Sequence, residues 1–296
     1  MSDVVAYTYD DKAIREDLLA VLNNLSPTDT QLITGLGTSK ANQILHEYLI
    51  DTLGDVKTNA YVEGVDASYP ATTNPTRLFN YTQIFRESFI VSDTEREVNT
   101  AAFNDRYSYE MSKALKELKN DMEYAVMRGS LACGTGSAAR QLRGVKRTLS
   151  LVTSQSGVSL TEAILNDYFN LVWTNGTEVN ALYGGMYIKR KVSAFTAGGT
   201  KNFNQTDRRL INAVDIYEAD AARVVKLFAH RYVTVSTDTN YDVVGINEDL
   251  FKIAYLRKPM QRELAKTGDA TKGEVLTEMT LEGLHYNGGF YAQAHL

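Results

Sequence analysis

Several of the features that usually announce a function are scarce in this chain. One cysteine, Cys133, stands among 296 residues, so no intrachain disulfide can form. The four histidines (His46, His230, His285, His295) are scattered, and with one cysteine they make no zinc framework. No apolar run approaches the roughly 20 residues needed to span a bilayer, so a membrane protein is not expected. The first residues, MSDVVAYTYDDKAIRED, lack the basic-then-apolar pattern of a secretory leader. Positive charge is also short: 31 Lys and Arg against 36 Asp and Glu give a net charge of -5. A groove that grips nucleic acid carries a basic stripe. Here the basic residues fall in short clusters: Arg140, Arg143, Lys146 and Arg147; Lys189, Arg190 and Lys191; Arg208 and Arg209. They read as solvated faces or intersubunit ion pairs.

Catalytic motifs are fragmentary. A reactive cysteine needs a nearby base or an electropositive setting, and Cys133 in Ala132-Cys133-Gly134 has no histidine near it in sequence. Gly134-Thr135-Gly136 lacks the Gly-Lys-Ser/Thr ending of a phosphate loop. His46-Glu47 begins like a zinc-protease helix, but Ile50 stands where the second histidine belongs. Glu95 with Glu97, and Asp215 with Glu218, are ordinary surface pairs in an acidic protein. The expectation is no catalytic residue, no metal ligand and no cofactor.

What the sequence does have is a composition able to bury a core, 44% hydrophobic, and 18 tyrosines. Tyrosine combines apolar area with a hydroxyl and suits half-wet contact surfaces. A first helix is predicted over Asp10–Asn24 from Ile14, Leu18, Leu19 and Leu22, broken by Ser26-Pro27-Thr28-Asp29. Thr34 to Gly37 reads as irregular. From Phe79 to Val91 one parity is apolar (Phe79, Tyr81, Phe85, Phe89, Val91), the mark of a half-buried strand. Val56–Val65 is its expected partner, with a turn-rich tip from Tyr69 to Thr76. Such a hairpin is marginal alone and must lie on something, either its own domain or another subunit. The longest helix is predicted from about Asn104 to Arg128, with Tyr107, Met111, Leu115, Leu118, Met122 and Ala125 as one apolar stripe and Gly129 as its stop. A capping box, Ser159 with Glu162, opens another helix whose buried side is Leu160, Ile164, Tyr168, Leu171 and Val172, ended by Asn175-Gly176. A shorter helix carries Ile188, Val192 and Phe195 and ends at Gly198-Gly199. Strands are expected at Val214–Tyr217, Val224–Phe228, Tyr241–Ile246, Phe251–Leu256 and Glu274–Leu284.

This order of parts, with Ser26-Pro27-Thr28-Asp29-Thr30-Gln31, Asn80-Tyr81-Thr82-Gln83-Ile84, Val91-Ser92-Asp93-Thr94, the run from Leu115 to Glu123 and that from Leu264 to Asp269, resembles the major capsid (major head) proteins of tailed bacteriophages. No one stretch is specific; their order and spacing are, from near residue 26 to residue 269. The resemblance implies an α+β fold of the Hong Kong 97 type. Its parts would be an N-terminal arm (1–45), an extended hairpin loop, or E-loop, with its flanks (46–92), a peripheral domain with a long spine helix (93–150 and 257–296), and an axial domain (151–256). It implies subunits that form pentamers and hexamers and close an icosahedral head around double-stranded DNA, without sequence-specific binding. Assembly would take place in the host cytoplasm and the product would be the virion. Expected partners are the chain itself, a portal protein, and a separate scaffolding or decoration protein, since no large scaffolding segment precedes the arm. Intersubunit contacts are expected from Tyr69, Pro70, Pro75, Arg77, Phe79 and Tyr81, and spine-helix core from Met111, Leu115, Leu118 and Met122. An encapsulin-like nanocompartment shell enclosing an enzyme cargo resembles the same fold and is the second reading. An enzyme or binding module of unrelated α+β fold is a distant third.

Overall fold

One long helix lies between two β-sheets and lends apolar surface to both. The computed structural model describes residues 29–54, 56–67, 69, 72, 74–98, 105–195, 203–204, 209–210, 215–218, 224–233 and 241–295. The helix predicted at Asp10–Asn24, the stop at Gly198-Gly199, Arg208 and the contact candidate Pro70 lie outside them. In chain order the elements are α1 (Gln31–Gly35), β1 (Gly37–Lys40), β2 (Leu45–Ile50), β3 (Thr76–Tyr81), β4 (Gln83–Ser92), α2 (Asp93–Glu97), α3 (Arg106–Arg128), α4 (Val145–Thr148) and β5 (Leu151–Val158). Then follow α5 (Glu162–Thr174), β6 (Ala181–Gly184), α6 (Met186–Phe195), β7 (Phe203–Asn204), β8 (Arg209–Leu210), β9 (Ile216–Glu218) and β10 (Val224–Ala229). The chain closes with β11 (Tyr241–Ile246), β12 (Phe251–Leu264), β13 (Ala270–Gly283) and β14 (Gly289–His295).

The long helix α3 starts where Asp105 accepts hydrogen bonds from the Tyr107 and Ser108 amides, at 3.1 and 3.3 Å. That satisfies two of the amides a helix start leaves without intrahelical partners. It stops at Gly129, where a Cβ would meet the Leu142 carbonyl oxygen at 2.5 Å, so only glycine lets the next loop pass this close. Ala114, Leu118, Met122, Ala125 and Val126 form its buried stripe. Leu115 corrects the expectation: it is 42% exposed, and Met111 is only partly buried. The buried stripe runs through Ala114 in place of Leu115, and the C-terminal half of α3, with Glu123, Ala125, Val126 and Met127 all buried, is covered on several sides.

The first sheet has the order β1-β12-β13-β4, with α3 packed over β4 and β13. Phe85 and Val91 of β4 are buried and Phe89 packs against the same core, as their parity predicts. The partner of this segment differs from the expectation. β4 pairs antiparallel with β13 (Phe85↔Thr277, Phe89↔Gly273), and β3 pairs antiparallel with β2 (Leu45↔Tyr81, Ile50↔Thr76). Val56–Val65 is in no strand. The predicted single strand from Phe79 to Val91 is thus two strands in two sheets, and the inward parity changes at Thr82. Before it Asn80 is buried and Phe79 is 39% exposed; after it the odd residues turn inward. Thr34 to Gly37 is ordered too: α1 packs on α3 through fully buried Leu32, and β1 runs parallel to β12.

The second sheet has the order β5-β14-β11-β6-β10-β9. Its side chains alternate as strands require. Tyr183, Val244 and Ile246 join the core beneath α3, while Leu182, Val243 and Phe290 join a second core under α5 and α6. Helix α5 is capped by Thr161, not Ser159; Tyr168 and Val172 are buried and Ile164 packs half-buried against the same core, as expected, while Leu165 and Phe169 are buried in addition and Leu171 is 39% exposed. Two segments lie in the sheet opposite to the one their chain position suggests. Phe251–Leu256 belongs to β12 beside α3, and Gly289–His295 is an interior strand of the second sheet. The 3-10 turn at Glu248–Leu250 carries the chain across before β12 begins. Phe290 and Ala292, both fully buried, hold β14 in the second sheet.

Candidate functional site

The feature that stands apart from both cores is the segment from β2 to β3. On β2 the even residues face the body. His46 Nε2 lies 3.5 Å from Glu282, and the Tyr48 hydroxyl accepts the Gly283 amide at 3.2 Å. Glu282 also accepts a hydrogen bond from the Ser39 hydroxyl at 2.7 Å. The bond from His46, aided by that from Ser39, holds the Glu282 carboxyl below the usual carboxylate range despite burial. Beyond Ile50 the contacts with the body end, and every described residue from Asp51 to Pro75 is exposed. Leu53 and Val56 are fully exposed, Tyr69 nearly so, and Tyr61, Val62 and Val65 for most of their surface. Contiguous exposed apolar side chains on this scale mark a surface that a partner covers.

Of the expected contact residues, Tyr69 and Pro75 sit on this projecting segment. Arg77 is exposed and lies 3.5 Å from Glu47 across the β2–β3 ladder. Phe79 and Tyr81 meet edge to face, ring centroids 6.0 Å apart, and the Arg143 guanidinium sits 5.7 Å from the Phe79 ring. The structure thus spreads these residues from root to tip of one arm and does not gather them into a pocket.

The root is polar and buried. Asn80 Nδ2 donates to the carbonyl oxygens of Leu281 and Arg143, at 2.7 and 3.1 Å, and its Oδ1 accepts the amides of Arg143 and Tyr81. Gln83 accepts the Leu142 amide at 3.1 Å. Beneath the root, Glu278 receives Arg140 at 2.7 Å and Arg257 at 2.9 Å. The cluster containing Arg140, Arg143 and Lys146 is therefore not a solvated face. Lys146 is buried and donates to Asp242 at 2.6 Å and to the Val233 carbonyl; burial pulls its ammonium below the usual lysine range. Lys189 in the next cluster pairs with Asp215 at 2.6 Å.

Sequence inspection also missed a buried carboxylate on α3. Glu123 is fully buried; its Oε1 accepts the Leu32 amide at 2.7 Å and its Oε2 the Ile33 amide at 2.8 Å. His230, which looked isolated, sits with Nε2 at 2.9 Å from Glu123 Oε1. Only its place next to Met122 and three residues before Val126, inside an increasingly apolar turn, could have marked Glu123 as inward. Glu123→Ala would leave the two amides without their acceptor, at roughly 1–3 kcal/mol each. Calorimetry of the subunit should show the melting temperature fall by roughly 10 °C.

Cys133 lies exposed in the loop closed by the Ala132↔Gln141 bridge, and its Sγ is 3.4 Å from the Gly134 carbonyl oxygen. Cys133→Ser should leave particle yield and infectivity at the wild-type level, as counted by plaque titre and particle recovery. Among the described residues no group of three or more His, Cys, Asp or Glu could hold a metal ion, and no helix is long and apolar enough to cross a membrane.

The geometry, an ordered two-sheet body with a rooted apolar arm, has counterparts. The chain is 31% identical over 124 residues to the major capsid protein of Escherichia phage Phieco32, a stretch that covers 41% of this chain and 35% of that one. The match thus spans about a third of the length of that curated relative. In fold it is similar to the capsid structure of Cyanophage P-SCSP1u, with a TM-score of 0.64 at 11% identity, covering 100% of this chain and 97% of that one. It is also similar to the holo-SrpI encapsulin complex of Synechococcus elongatus, with a TM-score of 0.62 at 9% identity, covering 98% and 95%. Both carry the Hong Kong 97-type capsid fold, and identities this low speak to fold alone. The family model for the SU10 major capsid protein matches residues 4–289, nearly the whole sequence, and the chain accordingly belongs to the SU10 major capsid protein family.

Proposed function

We propose that this chain is the shell subunit of a tailed-phage head, a structural protein without catalysis. It assembles into pentamers and hexamers that close an icosahedral capsid around double-stranded DNA. The observation that carries this reading, beside family membership, is the arm: apolar side chains from Leu49 to Tyr69 stand in solvent and need a neighbour to cover them. In this reading the sheet under α3 belongs to the peripheral domain and the sheet under α5 and α6 to the axial domain. Tyr69, Pro70, Pro75, Arg77, Phe79 and Tyr81 contribute lateral contacts. The net charge of -5 fits a container that confines DNA by closure, because tight phosphate binding needs clustered lysine and arginine. A portal protein and a separate scaffolding or decoration protein complete the assembly.

The test is a negative-stain micrograph of the purified protein. Closed shells or hexameric sheets are expected; only monomers or small oligomers at high concentration would refute the reading. The fold likeness to an encapsulin supports a second reading, a shell around an enzyme cargo. Particles recovered from the native host separate the two. Nuclease-protected double-stranded DNA marks a phage head, and a co-purifying enzyme marks a nanocompartment.

A further inference from the structure

We infer that Thr82, with Asn80, Glu278, Arg140 and Arg257 around it, is a clamp that fixes the bearing of the arm before any neighbour is met. This rests on the shell reading for its purpose, but not for its geometry. Thr82 is the residue between β3 and β4, where the chain leaves the arm's two-stranded sheet and enters the body's four-stranded one. A joint of that kind, a single residue between two sheets, would ordinarily be a hinge. Here each polar group of Thr82 is tied to a different segment. Its amide donates to the Ile44 carbonyl at 2.9 Å, just before β2, which joins both strands of the arm at their base. Its hydroxyl donates to Glu278 Oε1 at 2.8 Å, on β13. Its carbonyl oxygen accepts from Arg140 Nε at 3.3 Å, from the loop after α3. Thr82 is fully buried, so water cannot take over these bonds.

The acceptor is itself fixed. Glu278 is buried and held from two sides by Arg140 Nη2 and Arg257 Nε. The β12–β13 ladder shifts register on either side of Arg257. Thr277 secures that irregularity by donating its hydroxyl to the Arg257 carbonyl oxygen at 3.0 Å. Two residues away Asn80, almost fully buried, adds bonds to the loop at Arg143 and to β13 at Leu281. Charge-assisted bonds in a buried setting are the strong ones. A lever held at its fulcrum by three separate segments keeps one angle to the body. The arm therefore reaches a neighbour in one direction, and the subunit carries part of the shell's curvature within itself. Thr82 and Asn80 act as positioning residues: they touch no partner and aim those that do.

The test uses the full chain with Cys133→Ser, spin-labelled at Leu49→Cys on β2 and Glu117→Cys on α3. Distances are measured by pulsed electron resonance in unassembled subunits. The expected result is one narrow distance peak. Thr82→Val, which keeps shape and loses the hydroxyl donor, should broaden or displace that peak while the melting temperature stays near that of the parent. Arg140→Gln is the second variant, should Thr82→Val fold poorly; it should broaden or displace the peak as well, with a lower melting temperature because buried Glu278 loses one of its two guanidinium partners. The unlabelled variants should then give mixed shell sizes or open sheets where wild type gives uniform shells. A broad peak in the parent, or an unchanged narrow peak in both variants, overturns the clamp. A loosened arm with uniform shells would place the curvature in the neighbours and overturn its role in assembly. Failure of wild type to form shells at all would strike the shell reading, and leaves the spin-label result to judge the clamp by itself.

Discussion

A chain in which residues 52–74 are replaced by a short Gly-Ser turn should fold normally and fail to close shells. The ladder from Leu45↔Tyr81 to Ile50↔Thr76 already brings the ends of the excised segment together, so a tight turn can bridge them. Every described residue between Asp51 and Pro75 is exposed, so their removal takes nothing from either core. Circular dichroism should be near wild type, because the described residues among those excised lie in no strand or helix. What the variant loses is the apolar surface offered to a neighbour. Micrographs should show no closed particles, or particles that melt at a lower temperature than wild-type shells. Normal assembly with wild-type melting would mean that the arm makes no lateral contact, even though family membership would stand.

The second large effect is expected on α3, and it separates two residues three positions apart. Leu118 is 2% exposed and lies against the sheet core. Leu118→Asp would place an unpaired carboxylate there at several kcal/mol, a large fraction of a domain's stability. The product should be insoluble on expression. Leu115→Asp, at a position 42% exposed, should give soluble subunits with near-normal melting. Soluble Leu118→Asp would place that face of the helix toward solvent or a partner. Insoluble Leu115→Asp would return Leu115 to the core.

The contrast between Leu115 and Leu118 also shows how far the sequence could be read. Apolar periodicity located α3, α5, α6, β11 and the inward set Phe85, Phe89 and Val91, because apolar side chains recur there at helical or strand spacing. It did not say which edge of a stripe the core touches, and so Leu115 and Leu171 were misplaced. Polar residues were less legible still. Asn80, Thr82, Glu123, Lys146 and Glu278 are all buried, and apart from Glu123, which sits beside the apolar stripe of α3, nothing in their local pattern distinguishes them from surface polar residues. Such partners as Arg143, Leu281, Leu32 and Asp242 are about 60 to 200 residues away, and only the folded chain brings them together. The parity break at Thr82 had the same cause: alternation across it looked continuous while the strand changed sheets. The arm was legible as extended and in need of a partner, but its pairing strand was misassigned, because Leu45–Ile50 is short and mixed in character.

The position of β14 has a consequence for when a subunit becomes competent. This strand, residues 289–295, lies between β5 and β11, pairing parallel with one and antiparallel with the other. In the other sheet, β1 at residues 37–40 waits for β12 at 252–255. Neither sheet is complete until the ribosome has delivered nearly the whole of this sequence, and long-range pairings of this kind form slowly. A partly synthesised chain therefore has a sheet with a missing interior strand and a clamp whose acceptor, Glu278, has not yet arrived. The residues of β13 that hold the arm's root, Leu281 and Glu278, therefore arrive about 200 residues after the root itself, and until then Asn80 and Thr82 lack the partners that bury them.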